Sequence, residues 1–408
     1  MSSSTIRLAR ATMLLAATAL ATPAMAQMSD NVIRIGVMND QSGVYSDNCG
    51  AGSVTSVKLA VEDAGGQIKG TKIEVVVADD QNKPDVGVAA ALKWIEKEGV
   101  DTIVGCSASS IALALQPVMA SHKKPYLIAG TASSDLTNSK CTPMGTNWAY
   151  DTYTLPKGTV SALLGRGLDT WYFITVDYTF GKMWQEDATR FIQAAGGKVL
   201  GSTLHPLNAT DFSSQLLQAQ ASGAKVIGIA NSGSDLANVI KQAKEFGITS
   251  AGQQLAPLGL QINLVHGIGL EAAQDMVFTS SAYWDQNEGT RELAKRYGKA
   301  FQGRIPNESQ LATYSAVNHY LKAVAAAGTD EGDAVMAKMR ATPVNDMMLN
   351  NVSIRADGVV MRPMKTVRVK KPGEVKYPWD YYEILGEVPA EQAWRPLSES
   401  ACPLVNKS

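Results

Sequence analysis

Residues 72–104 read KIEVVVADDQNKPDVGVAAALKWIEKEGVDTIV, and their pattern sets the fold class. Lys72–Ala78 is a run rich in β-branched residues and reads as a strand. Pro84–Lys97 reads as an amphipathic helix with proline in its first turn, where the missing N–H has no intrahelical partner to lose. Thr102–Val104 reads as the next strand. A strand, a helix and a second strand in this order are the repeating unit of a parallel α/β sheet.

The alternation continues in both directions. Upstream lie a strand at Val32–Val37, a polar loop over Asn39–Gly52, and a helix at Val54–Asp63 whose apolar face is Val54, Val57, Leu59, Ala60 and Val61. Downstream come a helix at Ile111–Ser121 and a strand at Pro125–Ile128. After a loop rich in Ser, Thr and Asn the pattern restarts, with strands at Trp171–Val176, Lys198–Gly201, Lys225–Ala230 and Gly252–Ala256. Helices near Gly181–Ala194, Asp211–Ala221 and Asp235–Phe246 separate them, and Gly247 stands where a helix C-cap belongs. The two arrays are similar in length but do not repeat in sequence.

A strand at Met276–Ser280 follows, then helices at Glu288–Gln302 and Ser309–Ala327. In the tail, Val352–Met361 reads as two strands joined at Ala356–Gly358, with further strands at Met364–Val369 and Tyr381–Leu385. No low-complexity linker separates the arrays, so several close strands are expected to join them. The class is therefore α/β, with two doubly wound parallel-sheet lobes.

At the N-terminus, Arg7 and Arg10 precede an apolar run, Ala11–Ala21, broken only by threonine. Ala24-Met25-Ala26 then supplies a small-x-small pattern, so residues 1–26 read as a secretion signal cleaved after Ala26. A run of about a dozen apolar residues is too short to span a bilayer. The remaining residues, about 380, exceed what one core supports, so two lobes are the default. Without the two signal arginines the formal charge moves from −1 to −3. With no basic tract, nucleic acid is excluded as an expected partner.

Cys49, Cys106, Cys141 and Cys402 are an even set in a chain read as exported, which points to disulfides. None has C-x-x-C spacing and no histidine is near, so no metal is expected. Sequence alone leaves all three pairings open.

In doubly wound sheets ligands sit at the carboxyl ends of strands, where helix N-termini offer free N–H groups. The residues just after each strand are therefore the candidates. They are Gln41–Asp47, Gly105-Cys-Ser-Ala-Ser-Ser110 and Ala129-Gly-Thr-Ala-Ser-Ser134 in the first array, and Asp177-Tyr178 and Asn231-Ser-Gly-Ser234 in the second. Small residues let backbone approach a ligand, and hydroxyls beside free N–H groups can receive a carboxylate. The alternative is that Ser109 or Ser110 only caps its own helix and that Ser133, Ser134 and Asp135 form an ordinary turn.

The run from Ser42 to Gly105, SGVYSDNCGAGSVTSVKLAVEDAGGQIKGTKIEVVVADDQNKPDVGVAAALKWIEKEGVDTIVG, resembles the N-terminal lobe of the Leu/Ile/Val-binding family of type I periplasmic solute-binding proteins. The resemblance continues through SSDLTNSKCTPMGTNWAYDTYTLPKGT, YTFGKMWQEDATRFIQAAGGKVLG and ATYSAVNHYLKAV, and covers nearly all of the chain after the signal. It implies lobes of residues 27–150 plus 280–354 and of residues 151–279 plus 355–408, joined by three crossovers, with the ligand enclosed by hinge closure. It implies a monomer that serves the membrane permease of an ATP-driven importer, with no cofactor.

In that family the two loops after strands three and four hold the ligand's carboxylate, matching Ser107, Ala108, Ser109 and Ser110, and Gly130, Thr131, Ala132 and Ser133. Tyr45 matches an aromatic that packs on the ligand, while Tyr153, Tyr178, Asn231 and Ser232 are the second-lobe candidates. The family's amino-acid binders hold the α-ammonium with an acidic residue in a turn that matches Ala256-Pro-Leu-Gly259 here, so Leu258 stands in the carboxylate's place. A buried ammonium without its counter-charge is costly. The expectation is a small organic carboxylate, aromatic acids among the candidates, in a cleft with no cation-matching carboxylate. A branched-chain or other amino acid is the alternative, and a ligand sensor a second one. Cys49 and Cys106 lie in cleft-edge loops of one lobe, and relatives pair a cysteine like Cys141 with one near the C-terminus, so Cys49–Cys106 and Cys141–Cys402 are expected.

Enzyme alternatives are weaker. Gly105-Cys-Ser-Ala-Ser109 resembles a nucleophile elbow but lacks its last glycine, and only His122, His205, His266 and His319 could serve as base. Gly267-Ile-Gly-Leu-Glu-Ala272 matches a loose dinucleotide pattern but precedes a strand. Asp79-Asp80 reads as a solvated turn.

Overall fold

Eight residues of nearly uninterrupted apolar character, Val32–Asn39 (β1), form the middle of a six-stranded sheet in a computed structural model that describes residues 27–405. The signal segment lies outside the described residues. The elements that follow β1 are α1 (Gly50–Asp63), β2 (Gln67–Ile68), β3 (Thr71–Asp79), α2 (Pro84–Lys97), β4 (Thr102–Gly105), α3 (Ser109–Ser121), β5 (Tyr126–Ile128) and β6 (Gly145–Asn147). The strand order is β2-β3-β1-β4-β5-β6, parallel throughout except for the short β2–β3 hairpin. The order reverses at β1/β4, which places the crevice of this sheet beyond the carboxyl ends of those two strands.

The second unit begins with α4 (Thr154–Leu164), β7 (Thr170–Val176), α5 (Thr179–Ala194), β8 (Lys198–His205), α6 (Ser213–Ala221), β9 (Val226–Ala230), α7 (Gly233–Glu245) and β10 (Gln254–Pro257). Its sheet is parallel with order β10-β9-β7-β8, so its own reversal lies at β7/β9. Next come α8 (Ile262–Ile268), α9 (Leu270–Ala273), β11 (Val277–Ser280), α10 (Glu288–Ala300), α11 (Glu308–Ala327), α12 (Gly332–Ala341), β12 (Met364–Val369), β13 (Tyr382–Val388) and α13 (Ala390–Ala393). Strands β11, β12 and β13 form a small antiparallel sheet beside β10. Helices α10 and α11 return to pack on α1, so the chain crosses between the two units at residues 148–153, 281–287 and 361–363. The fold is that of two α/β lobes with three crossovers.

Helix α11 positions the site more than any other element. It is buried on nearly every face, as expected of a helix lodged inside a large protein. An Asn307/Gln310 capping box fixes its start, and Gly328, at φ 74°, ends it in a left-handed turn. Its first turn, Glu308-Ser309-Gln310, therefore carries polar side chains into the interior.

Three expectations are corrected. Val352–Met361 forms only isolated bridges, Val344–Val352, Ile354–Val360 and Asn147–Val359, because the Arg355–Asp357 ion pair and Gly358 at φ 92° tighten it into a loop. Helices α4, α8, α9, α12 and α13 and the short strands β2 and β6 are additional to the elements read from sequence. Pro156 and Gly158 obscure the helical period of the first, whereas Pro156 sits harmlessly in its first turn. Asp80 is not solvated: it is fully buried and accepts the Asn82 N–H at 2.9 Å, while Asp79 accepts from Ser42 Oγ at 2.7 Å.

Candidate functional site

Where the carboxyl ends of both parallel sheets face each other, the chain lines a cavity with about 560 Å³ of space free of protein atoms, part of it open to solvent. The first lobe supplies Tyr45, Asn48, Cys49, Cys106, Ser107, Ala108, Ser109, Gly130, Thr131 and Ala132, and the second supplies Leu155, Tyr178, Phe180, Trp184, Ser232 and Gly259. Tyr150, Gln261 and Glu308 complete the wall.

On the first lobe the loops are held from behind. Asp40, at the end of β1, accepts the N–H groups of Ser42, Gly43 and Tyr45 and the Asn82 amide, which curls the loop and turns Tyr45 inward. Ser107 Oγ donates to Met38 O at 3.1 Å, and Thr131 Oγ1 donates to Ser107 O at 2.7 Å. These two hydroxyl protons are thus spent on backbone. Ser109 is different: its Oγ is buried without a hydrogen-bond partner. Ala108, not a serine, occupies the N-cap of α3, with no side-chain cap. The capping alternative for Ser109 and Ser110 is thereby overturned. The N–H groups of Ser109 and Ser110 open the first turn of α3, where no intrahelical acceptor exists. An unbonded hydroxyl and a helix N-terminus in one wall can accept an anionic group, a carboxylate gaining about 0.3–1 kcal/mol from the dipole alone and up to about 2 when partly buried.

Gly130 has a steric reason to be glycine. A Cβ there would lie 2.3 Å from Cys106 Sγ and 2.7 Å from Ser309 Oγ. Disulfides join Cys49 to Cys106, with Cα atoms 5.8 Å apart, and Cys141 to Cys402, with Cα atoms 5.6 Å apart. The first ties the loop after β1 to the loop after β4 at the cavity wall.

The two lobes touch around the cavity. Tyr45 and Tyr178 hydroxyls meet at 2.6 Å, and burial raises the pKa of both phenols, so the pair stays protonated. Asn48 Nδ2 donates to Ser232 Oγ at 3.2 Å, and Ser234 N–H to Val44 O at 3.2 Å. Gly233 sits at φ 65°, and a Cβ there would lie 2.2 Å from Val44 O. Asn263 Nδ2 shares its hydrogens among Asp47 O, Asp47 Oδ2 and Asn48 Oδ1, at 3.1, 2.8 and 3.0 Å. Gln261 Nε2 reaches Tyr150 Oη at 3.0 Å and Ser309 Oγ at 2.9 Å.

Nine of the residues expected from sequence therefore meet at one cavity: Tyr45, Ser107, Ala108, Ser109, Gly130, Thr131, Ala132, Tyr178 and Ser232. Five do not. Ser110 is half-buried, turned aside by the helical step from Ser109. Ser133 directs its hydroxyl to Met183 Sδ at 3.4 Å. Tyr153 packs edge-on against Phe191 with Arg395 over its ring, and Tyr150, three residues earlier, takes the place at the cavity. Asn231 is bonded to His205 Nε2 at 3.0 Å, and the other ring nitrogen of that buried histidine faces Pro206 O at 2.9 Å. Leu258 is fully buried in the core, so its turn presents Gly259 and Gln261 instead.

The expected lack of a carboxylate is also corrected, since Glu308 lines the cavity from α11. Its first-turn position on a buried helix was the available signal. Phe180 and Trp184 were legible as an i, i+4 aromatic pair just after β7, on the helix that Tyr178 caps. None of the four histidines lines the cavity.

Comparison with known proteins agrees with this architecture. A Brucella melitensis protein named Leu/Ile/Val-binding protein homolog 1 is 24% identical over 364 residues, covering 86% of this chain and 91% of its own. A crystal structure of a periplasmic binding protein from Burkholderia mallei is 44% identical, with a TM-score of 0.89, over 92% of this chain and 100% of its own. A branched chain amino acid ABC transporter periplasmic ligand-binding protein from Burkholderia xenovorans is 36% identical at a TM-score of 0.82, with the same coverage. An R. palustris solute-binding protein solved with benzoate shares the fold at 18% identity and a TM-score of 0.80, over 91% of this chain and 99% of its own. The periplasmic binding protein family model matches residues 32–374. With two facing α/β sheets, three crossovers and a cavity between their carboxyl ends, the chain belongs to the periplasmic binding protein family, as a solute-binding component of ABC transporters.

Proposed function

We propose that the protein captures a small organic carboxylate in the periplasm, an aromatic acid being the favoured case, and delivers it to the permease of an ABC importer. The supporting observation is the cavity wall. The unpartnered Ser109 hydroxyl and the N-terminus of α3 face a space bounded by Tyr45, Tyr150, Tyr178, Phe180 and Trp184. An acid end would lie against the first, and a flat apolar body among the second. Burying about 150–250 Å² of ring contributes roughly 4–6 kcal/mol at about 25 cal/mol/Å². Association costs roughly 4–15 kcal/mol, so polar anchoring and lobe closure must supply the rest. The benzoate complex of the R. palustris protein supports the reading at the level of the fold, which accommodates such a ligand. Cleavage after Ala26, export, and action as a monomer complete the proposal.

A branched-chain amino acid is the second reading. It is favoured by the description of the B. xenovorans relative and by the Glu308 carboxyl at the cavity. Titration calorimetry of the protein lacking residues 1–26 against benzoate, 4-hydroxybenzoate and leucine decides between them. Micromolar binding of either benzoate with none of leucine is expected. Leucine alone giving heat overturns the aromatic-acid reading.

A further inference from the structure

Glu308 sits in the first turn of α11, where the helix N-terminus and its own N–H favour a charged carboxylate and burial opposes it more strongly. It is 5% exposed and lines the cavity. Its side-chain hydrogen bond, from Ser280 Oγ at 3.3 Å, is long, and the same hydroxyl lies closer to Ala282 O, at 2.8 Å. Among the described residues Glu308 has no cationic partner within 4.0 Å. Arg362, the basic group whose field reaches it, is itself fully buried; its two terminal nitrogens bond Trp148 O and Met348 Sδ, the latter at 3.7 Å, and its Nε has no partner. The other titratable groups that face Glu308 are Tyr150 and Tyr382, both kept as neutral phenols by burial, and Asp346 offsets part of Arg362's charge.

We infer that Glu308 meets the ligand as an uncharged carboxylic acid and donates its proton to an acceptor atom there, which makes it a specificity determinant against cationic groups. The inference rests on the proposed capture of an organic acid in this cavity. A neutral acid tolerates an anion beside it, whereas an ionised one would put two negative charges in the same low-dielectric space. Burial lifts the carboxyl to about 8, which keeps the proton on at neutral pH. No proton has to move on binding. Above the titration of Glu308 the affinity for an anion should fall by up to tenfold per pH unit.

Two measurements on the protein lacking residues 1–26 test this. The first needs no ligand: thermal midpoints of wild type and E308Q from pH 5 to 9. The raised carboxyl binds more protons folded than unfolded between 4.5 and about 8, so wild-type stability should fall across that window and the E308Q curve should be flatter. Parallel curves overturn the inference. The second is the benzoate dissociation constant from pH 6 to 9.5. E308Q, which keeps a donor, should bind about threefold more weakly than wild type at pH 6 and lose the alkaline fall. Glu308→Leu, which keeps the bulk alone, should bind at least thirtyfold more weakly. A wild-type constant flat to pH 9.5, or E308Q falling in parallel with it, overturns the inference and leaves the aromatic-acid reading standing. If the wild type takes leucine and neither benzoate, that reading fails. Leucine binding abolished by E308Q would then mark Glu308 as a counter-ion and overturn the inference as well; leucine retained by E308Q would uphold it.

Discussion

The two walls of the cavity are built from opposite materials. Beside Tyr45 and Asn48, the first-lobe wall is mainly small residues, Ser107, Ala108, Ser109, Gly130, Thr131 and Ala132, whose hydroxyls are mostly tied to main chain. A disulfide joins two of its loops. The second-lobe wall is mainly apolar, with Leu155, Tyr178, Phe180 and Trp184 beside Ser232 and Gly259. The first wall can supply directional recognition at little ordering cost, because its donors are already fixed. The second can supply dehydration and contact area, and only when the lobes meet. On the proposed function, selectivity and closure are separable, and substitutions should divide them.

The sharpest division lies between the disulfides. Cys141–Cys402 closes a loop of 261 residues and Cys49–Cys106 one of 57. The chain-entropy model gives ceilings of about 5.5 and about 4 kcal/mol of stability. The C141S/C402S variant should show the larger loss in denaturant titrations yet keep its benzoate affinity below the melting range. The C49S/C106S variant should lose less stability and bind benzoate more weakly, since its bond braces the recognition wall. Equal affinities in the two variants would show that the brace does not matter to binding.

Phe180→Ala comes next. Removing a ring that lines the second wall should weaken benzoate binding by about 2 kcal/mol, close to thirtyfold by calorimetry. A loss under threefold would place the ligand away from this wall.

How far these walls were legible in the sequence follows the same division. The first wall was readable because it sits immediately after strands, where the parallel α/β pattern itself announces the carboxyl ends, and Ser107–Ser109 and Gly130–Ala132 follow β4 and β5 directly. The helix Pro84–Lys97 was legible to the residue, since proline marks its start. The second wall depends on packing between segments distant in sequence. Phe180 and Trp184 face the cavity because α5 lies against it, and Gln261 and Glu308 because α8 and α11 begin there. Tyr150 and Tyr153 are alike in sequence terms. Only the start of α4 decides that the first faces the cavity and the second packs on Phe191. Leu258 shows the converse error: correct alignment of a turn does not say which of its residues points inward.

Ser109→Ala tests the recognition wall alone. The hydroxyl has no partner in the protein, so its removal should leave the ligand-free melting temperature unchanged or slightly higher. Benzoate binding should weaken by about 1.5 kcal/mol, roughly tenfold, as expected for a hydrogen bond to a charged group. A fall in ligand-free stability with unchanged affinity would reverse the assignment of this serine.

The smallest expected effect isolates closure. Asn263 does not line the cavity, but its amide spans the lobes to Asp47 and Asn48 and its Oδ1 accepts from Asn307 at 2.9 Å. In a separated form these groups would be solvated, so Asn263→Ala penalises the closed state by about 1 kcal/mol without touching the ligand. An apparent dissociation constant scales inversely with the fraction of protein able to hold the ligand, and such losses fall mainly on the off-rate. Stopped-flow measurement with benzoate should show an off-rate about fivefold faster and an on-rate within twofold of wild type. A change confined to the on-rate would mean that the lobes already stand together before the acid arrives, and the second wall would then be part of a preformed pocket, not a lid.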